Sequence, residues 1–209
     1  MFEKNIYPYE GGNGFLVGKY FVTAGHCVEK SKPYVRINDK LIRLSNPLIC
    51  LNDNNCDGFD IAIFEMDCEE SPLRFSKIEI QKNDLLRCET YRLEYVVEKG
   101  QSIFERQEKV ISHFISTQAH IYVDKDGDFR EGNYFCFITE KSLMQGSSGS
   151  PIFRGNEVVG VMHGGNNDGT GNVATKEINE LNFCVCLSSL SIYKLLEEKG
   201  LTKIINEIF

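Results

Sequence analysis

Apolar residues come in short runs along this chain, broken by Gly, Asn, Asp and Pro. Runs at 15–17, 20–23, 34–37, 61–64, 93–97, 111–116, 121–123, 134–138, 158–162 and 183–187 are of strand length. They are rich in β-branched and aromatic residues and are bounded by turn formers, which predicts strands. The cadence is that of an all-β barrel or sandwich. From residue 189 the spacing changes. Ile192, Leu195 and Leu196, then Ile204, Ile205 and Ile208, follow a helical period, with Gly200 as an interruption. A terminal amphipathic helix packed on a barrel is therefore expected. The polar stretch 98–107 is expected to cross between two halves. The sequence has no internal repeat and no low-complexity linker.

Composition narrows the class without choosing a function. A chain of 209 residues suits one large domain or two small ones sharing a cleft. Hydrophobic residues make up 42% and charged residues 25%, which fits a folded globular protein rather than a disordered one. The net charge of −7 lacks the basic footprint that phosphate backbones require, so no nucleic-acid partner is expected. No apolar run approaches the roughly 20 residues of a membrane span, so no membrane partner is expected. The start lacks the charged-then-apolar order of a secretion signal. That makes the cytoplasm the expected location, or the exterior if a leader was removed. The eight cysteines show neither a CxxC pair nor a zinc-type spacing, and most are expected to be thiols that pack as small apolar groups. Cys184 and Cys186 sit two apart on an expected strand and so face one side. Nothing in the sequence sets an oligomeric state.

Three local patterns carry chemistry. In YFVTAGHC (20–27) a strand delivers His26 just after small residues. In GFDIAIF (58–64) Asp60 opens an apolar strand, where a carboxylate would be half-buried and in need of a partner. In QGSSGSPIF (145–153) Ser148 lies in a Gly-bounded turn that leads into a strand. Acyl transfer requires these parts. A serine hydroxyl becomes a nucleophile when an imidazole takes its proton, and a buried carboxylate fixes that imidazole's tautomer and stabilises its charged form. The developing oxyanion needs backbone N–H donors, which glycine lets the chain turn inward. The N–H groups of Gly146 and Ser148 are the candidates. This chemistry calls for no cofactor and no metal.

The order His26, Asp60, Ser148 and the motifs TAGHC, DIAIF and GSSGSP resemble the chymotrypsin-like serine proteases. The resemblance covers roughly residues 11–190. It implies a serine endopeptidase acting on polypeptides through a Ser-His-Asp triad, on an all-β fold of two six-stranded antiparallel barrels. The N-terminal barrel, 1–100, would carry His26 and Asp60. The C-terminal barrel, 101–188, would carry Ser148 and the substrate pocket, with the helix at 189–209. GNGFLVG (12–18) and VVGVMHGG (158–165) are similar to the bacterial and viral branches, glutamyl endopeptidases among them. By that similarity His163 contacts an acidic or amide substrate side chain, and Ser142 falls at the base of the pocket. The expected preference is for Glu or Gln before the scissile bond. Leu143 departs from that pattern, because a hydroxyl residue is usual there. Ser147 departs from the digestive enzymes, which place an Asp before the nucleophile to pair with a newly cut amino terminus. Activity without such a switch is expected.

Other features receive plainer readings. His113 and His120 lack a chemical context and read as structural or exposed. In DKDGD (124–128) the Gly falls too early for a calcium loop, so a charged turn is expected. The rival from another class is a protease-fold binding or regulatory module that no longer cuts. An esterase of the α/β-hydrolase type is disfavoured, because its serine comes first in the chain.

Overall fold

In β2 (Gly12–Val17) and β3 (Tyr20–Thr23) every residue is buried, so both faces of the sheet they form are covered. Alternation along a strand then sends neighbours to different cores rather than to core and solvent. Phe15, Val17, Tyr20 and Val22 enter one cluster, while Leu16 and Phe21 enter another. The computed structural model describes residues 5–28, 34–52, 58–98, 101–123, 129–139, 146–165 and 183–209. In the N-terminal half, β1 (Ile6–Tyr9), β2, β3, β7 (Ile61–Glu65) and β6 (Ile49–Leu51) form an antiparallel five-stranded sheet in that order. A separate hairpin, β4 (Tyr34–Ile37) with β5 (Lys40–Arg43), closes over the Leu16–Phe21 cluster through Val35 and Ile37.

The C-terminal half is a closed six-stranded barrel. Its strands are β8 (Leu85–Glu98), β9 (Gln101–Val123), β10 (Phe129–Thr139), β11 (Pro151–Arg154), β12 (Glu157–Gly165) and β13 (Phe183–Ser188). All ten predicted runs lie on strands, with 111–116 and 121–123 joined in the single strand β9. Two expectations are corrected. The stretch 98–107 is not a crossing: β8 and β9 form one long hairpin with Glu98 opposite Gln101. And β8 pairs with β9 and β11, so residues 85–98 belong to the second barrel rather than to an N-terminal unit ending at 100. The cause is local, since a hairpin joins β8 to the strand that follows it. Among the described residues the first half shows β1 to β7, five of them hydrogen-bonded in one sheet and two in the separate hairpin.

The terminal helix is two helices, α1 (Ser189–Glu198) and α2 (Thr202–Ile208). Ser188 caps α1 by accepting the Ser191 N–H at 3.0 Å, and Gly200 (φ +70) makes the break between the helices. Ile192, Leu195, Leu196, Ile204, Ile205 and Ile208 join a cluster that also contains Phe15 of β2, Ile61 of β7 and Phe153 of β11. This shared core binds the two halves and the helices together. Each fully buried Leu, Ile or Phe there contributes about 1.5–3 kcal/mol. At the rim, Glu207 of α2 accepts the Tyr20 hydroxyl at 2.8 Å and pairs with Lys19 at 3.2 Å.

Candidate active site

The pairing of β3 with β7 sets the first two side chains. Thr23 lies opposite Ala62, and extending that register past the strand end brings Gly25 beside Asp60. There the chain makes a single 3-10 turn, Gly25–Cys27, that carries His26. The backbone N–H of His26 donates to Asp60 Oδ1 at 2.8 Å, and its ring Nδ1 contacts Asp60 Oδ2 at 2.6 Å. A side chain at Gly25 would run into the Leu51 carbonyl and Asp60, so glycine is what permits this close approach. The Asp60 carboxylate is buried, while the His26 ring is about one-third open.

Asp60 has a second imidazole. His163, on β12, places Nδ1 2.6 Å from the same Oδ2. The rings of His26 and His163 meet edge to face, 5.5 Å apart. Burial works against the Asp60 charge, yet the hydrogen bonds from His163 and His26 outweigh it and hold the carboxyl below the usual range. For His26, burial opposes the imidazolium, but the hydrogen bond to Asp60 outweighs that and raises its pKa. His26, Asp60 and His163 also present three metal-ligating atoms within 4.8 Å of one another. Zinc bonds of about 2.0–2.1 Å would space neighbouring ligand atoms by about 3.3 Å. The two 2.6 Å contacts are shorter than that and are hydrogen-bond distances.

Ser148 sits in the tight turn before β11, between Gly146 (φ +91) and Gly149 (φ +77). Its Oγ donates to the His163 carbonyl at 3.0 Å rather than to His26. A staggered rotation about χ1 is the motion that redirects such a hydroxyl, and unliganded sites commonly hold a looser geometry than the reacting complex. Two β2 atoms anchor the turn. The Asn13 N–H donates to the Ser148 carbonyl at 2.7 Å, and the Asn13 side chain donates to the Gly146 carbonyl at 2.6 Å. Among the described residues the N–H groups of Gly146 and Ser148 donate to no protein group. They are therefore open donors beside the hydroxyl, as an oxyanion would require.

Over residues 7–182 the chain matches the family described as Trypsin. The chain belongs to the trypsin family. It is a trypsin-like serine peptidase by family, a family whose substrates are polypeptides. Solved structures share its fold at low identity. The Rv3671c protease of M. tuberculosis, in its active form, is 17% identical with a TM-score of 0.64, over 94% of this chain and 81% of that one. Neuropsin, a serine protease expressed in the limbic system of mouse brain, is 15% identical with a TM-score of 0.65, over 94% of each chain. Kallikrein-related peptidase 10 is 13% identical with a TM-score of 0.61, over 96% and 97%. No curated relative matches the sequence. No described helix is long and apolar enough to cross a membrane.

Within this trypsin-family chain the structure brings His26, Asp60, Gly146, Ser148 and His163 to one place, at the seam between the halves. Ser142 and Leu143 lie outside the described residues, as does the 124–128 turn. His113 is exposed. Two participants are not evident from the sequence motifs. One is the contact from His163 to Asp60, made across 103 residues. The other is Asn13, whose signal was available: it shares strand parity with Phe15 and Val17, both core residues, and is the polar residue on that inward face.

Proposed function

We propose that the protein is an endopeptidase in which Ser148 attacks the scissile carbonyl. His26 takes the Ser148 proton and later delivers it to the leaving amine. Asp60 holds His26 in one tautomer through Nδ1, leaving Nε2 for the serine. The N–H groups of Gly146 and Ser148 receive the oxyanion, and an acyl-enzyme on Ser148 is hydrolysed by water. The observation that carries this reading is the doubly bonded His26–Asp60 pair, with the Ser148 turn beside it and linked to His163. Its direct test is a fluorophosphonate probe. Labelling of Ser148, lost in His26→Ala, supports it. An unlabelled Ser148 favours the silent binding module, a reading to which the hydroxyl's bond to the His163 carbonyl lends some weight.

For selectivity, the reading is cleavage after Glu or Gln, with Glu slightly favoured. His163 has Nδ1 on Asp60, so Nε2 is the ring atom that would meet a substrate carboxylate or amide oxygen. Peptides that differ only at the residue before the scissile bond decide it by kcat/KM. A preference for Lys, Arg or large aromatics, or a His163→Ala variant that leaves the Glu and Gln rates untouched, removes this reading.

A further inference from the structure

Asn13 is fully buried on an otherwise apolar strand, between two glycines. A primary amide in such a place is costly unless its two N–H groups and its oxygen are matched. They are matched, and every partner lies in the other half of the molecule. Asn13 Nδ2 donates to the Gly146 carbonyl at 2.6 Å and the Tyr91 carbonyl at 2.7 Å, with Thr90 Oγ1 also within 3.0 Å. Its Oδ1 accepts the Tyr91 N–H at 3.2 Å. Thr90 Oγ1 in turn accepts from Ser150 Oγ at 2.8 Å. The Asn13 backbone adds the bond from its N–H to the Ser148 carbonyl at 2.7 Å. The Thr23 hydroxyl steadies it from behind, donating to the Asn13 carbonyl at 2.6 Å.

The order of these bonds along the turn matters. Asn13 grips the 146–147 peptide through its side chain and the 148–149 peptide through its backbone. Between them lies the 147–148 peptide, which supplies the Ser148 N–H. Directly before them lies the 145–146 peptide, which supplies the Gly146 N–H. Both candidate oxyanion donors are thus fixed by their neighbours while remaining open themselves. Ser147 adds nothing to this grip, since its buried hydroxyl has no hydrogen-bond partner among the described residues. Close approach is built in, because a Cβ at Gly12 would stand 2.6 Å from the Ser148 carbonyl oxygen.

We infer that Asn13 is a positioning residue that holds the oxyanion donors of Gly146 and Ser148 in working geometry, and that it does so from the opposite half of the molecule. The donors are then assembled by the docking of the two halves, with no new chain terminus required. The inference rests on the serine-peptidase reading above.

The test compares Asn13→Ala, Asn13→Ser and Thr90→Val with the wild type, each well below its own Tm. Asn13→Ala is expected to lose about 10- to 100-fold in kcat with KM within about twofold, since removing one such donor outright costs about 100- to 1,000-fold. A peptide boronate should bind more weakly by the same factor. Thr90→Val keeps the grip on Gly146, so it should lose Tm but keep kcat. Asn13→Ser is too short to reach Gly146 and should behave as Asn13→Ala, including in the event that the alanine variant does not fold. Hydrogen exchange over residues 146–150 reads the grip without catalysis and should speed up at least about tenfold in the Asn13 variants alone. An unchanged kcat in the Asn13 variants, or an equal kcat loss in Thr90→Val, overturns the inference. A wild type that neither hydrolyses peptides nor takes the fluorophosphonate overturns the peptidase reading instead, and exchange then still judges Asn13.

Discussion

The two sides of the site hold their chemistry by opposite means. On the side of β3 and β7, one buried carboxylate oxygen receives two imidazoles, so the arrangement depends on charge and on where protons sit. On the side of the nucleophile turn, neutral amides grip neutral carbonyls, and only geometry matters. The difference fits the two roles. In the proposed mechanism His26 gains and loses a proton in each cycle, so its partner has to be an ion whose field follows that change. The proposed oxyanion donors must not change at all, and uncharged hydrogen bonds among buried groups provide that at any ordinary pH.

The severest way to break the comparison is to remove the reacting groups. Ser148→Ala or His26→Ala should lower kcat by about four to six orders of magnitude, and Asp60→Asn by about four through the wrong imidazole tautomer. Single-turnover assays on one peptide measure this. Activity that survives Ser148→Ala and vanishes in Ser150→Ala would reassign the nucleophile. Ser150 is fully buried and bonded to Thr90, which already argues against that outcome.

A smaller perturbation separates backbone strain from crowding on the neutral side. Gly149 and Gly155 both have positive φ, +77 and +60. Alanine at either site carries the left-handed penalty of about 1–2 kcal/mol. Only at Gly149 would the new methyl also run into the Asn13 carbonyl and the Thr23 hydroxyl; at Gly155 it meets nothing. Chemical denaturation should therefore show Gly149→Ala as clearly the less stable, with kcat reduced as well. Equal losses would mean that the seam yields easily and that the grip on the turn is loose.

Much of this is legible in the sequence, because it is written in local pattern. The strand runs, the break at Gly200 and the three motifs each depend on residues a few positions apart. The site's contacts that the motifs do not reveal depend on register between distant segments. The Asp60–His163 contact joins β12 to the residue that opens β7 across 103 positions, and a lone strand histidine carries no mark of its partner. The join at 98–107 differs from expectation for a similar reason: polarity marks a hairpin edge as readily as a linker, and only pairing to β9 tells them apart. Asn13 is readable in principle, since a polar residue at an inward strand position must be bonded to something. What it bonds to is a turn more than 130 residues away.

The smallest expected effect is also the one that separates the two sides most cleanly, because it turns on sign. Asp60 has its pKa lowered in the fold, so its contribution to stability is present above its ordinary value of 3.8 and is lost as pH falls through the lower folded value. His26 has its pKa raised, so its contribution is complete below its ordinary value of 6.5 and is lost as pH rises through the higher folded value. The charged pair therefore stabilises most between about pH 4 and 6.5. The Tm deficit of Asp60→Asn relative to wild type should be largest in that window and shrink on both sides of it. The deficit of Asn13→Ala should be flat across the same range, since neither Asn13 nor the carbonyls it grips titrate. Thermal melts of the three proteins across the pH range read both curves at once. A flat Asp60→Asn curve would show that the carboxylate is held by hydrogen bonding alone, and a sloping Asn13→Ala curve would show that the two sides are coupled through the Ser148 turn. Activity adds an independent check on the same sign: a raised His26 pKa places the acid limb of kcat/KM above pH 6.5, because only the neutral imidazole can accept the Ser148 proton.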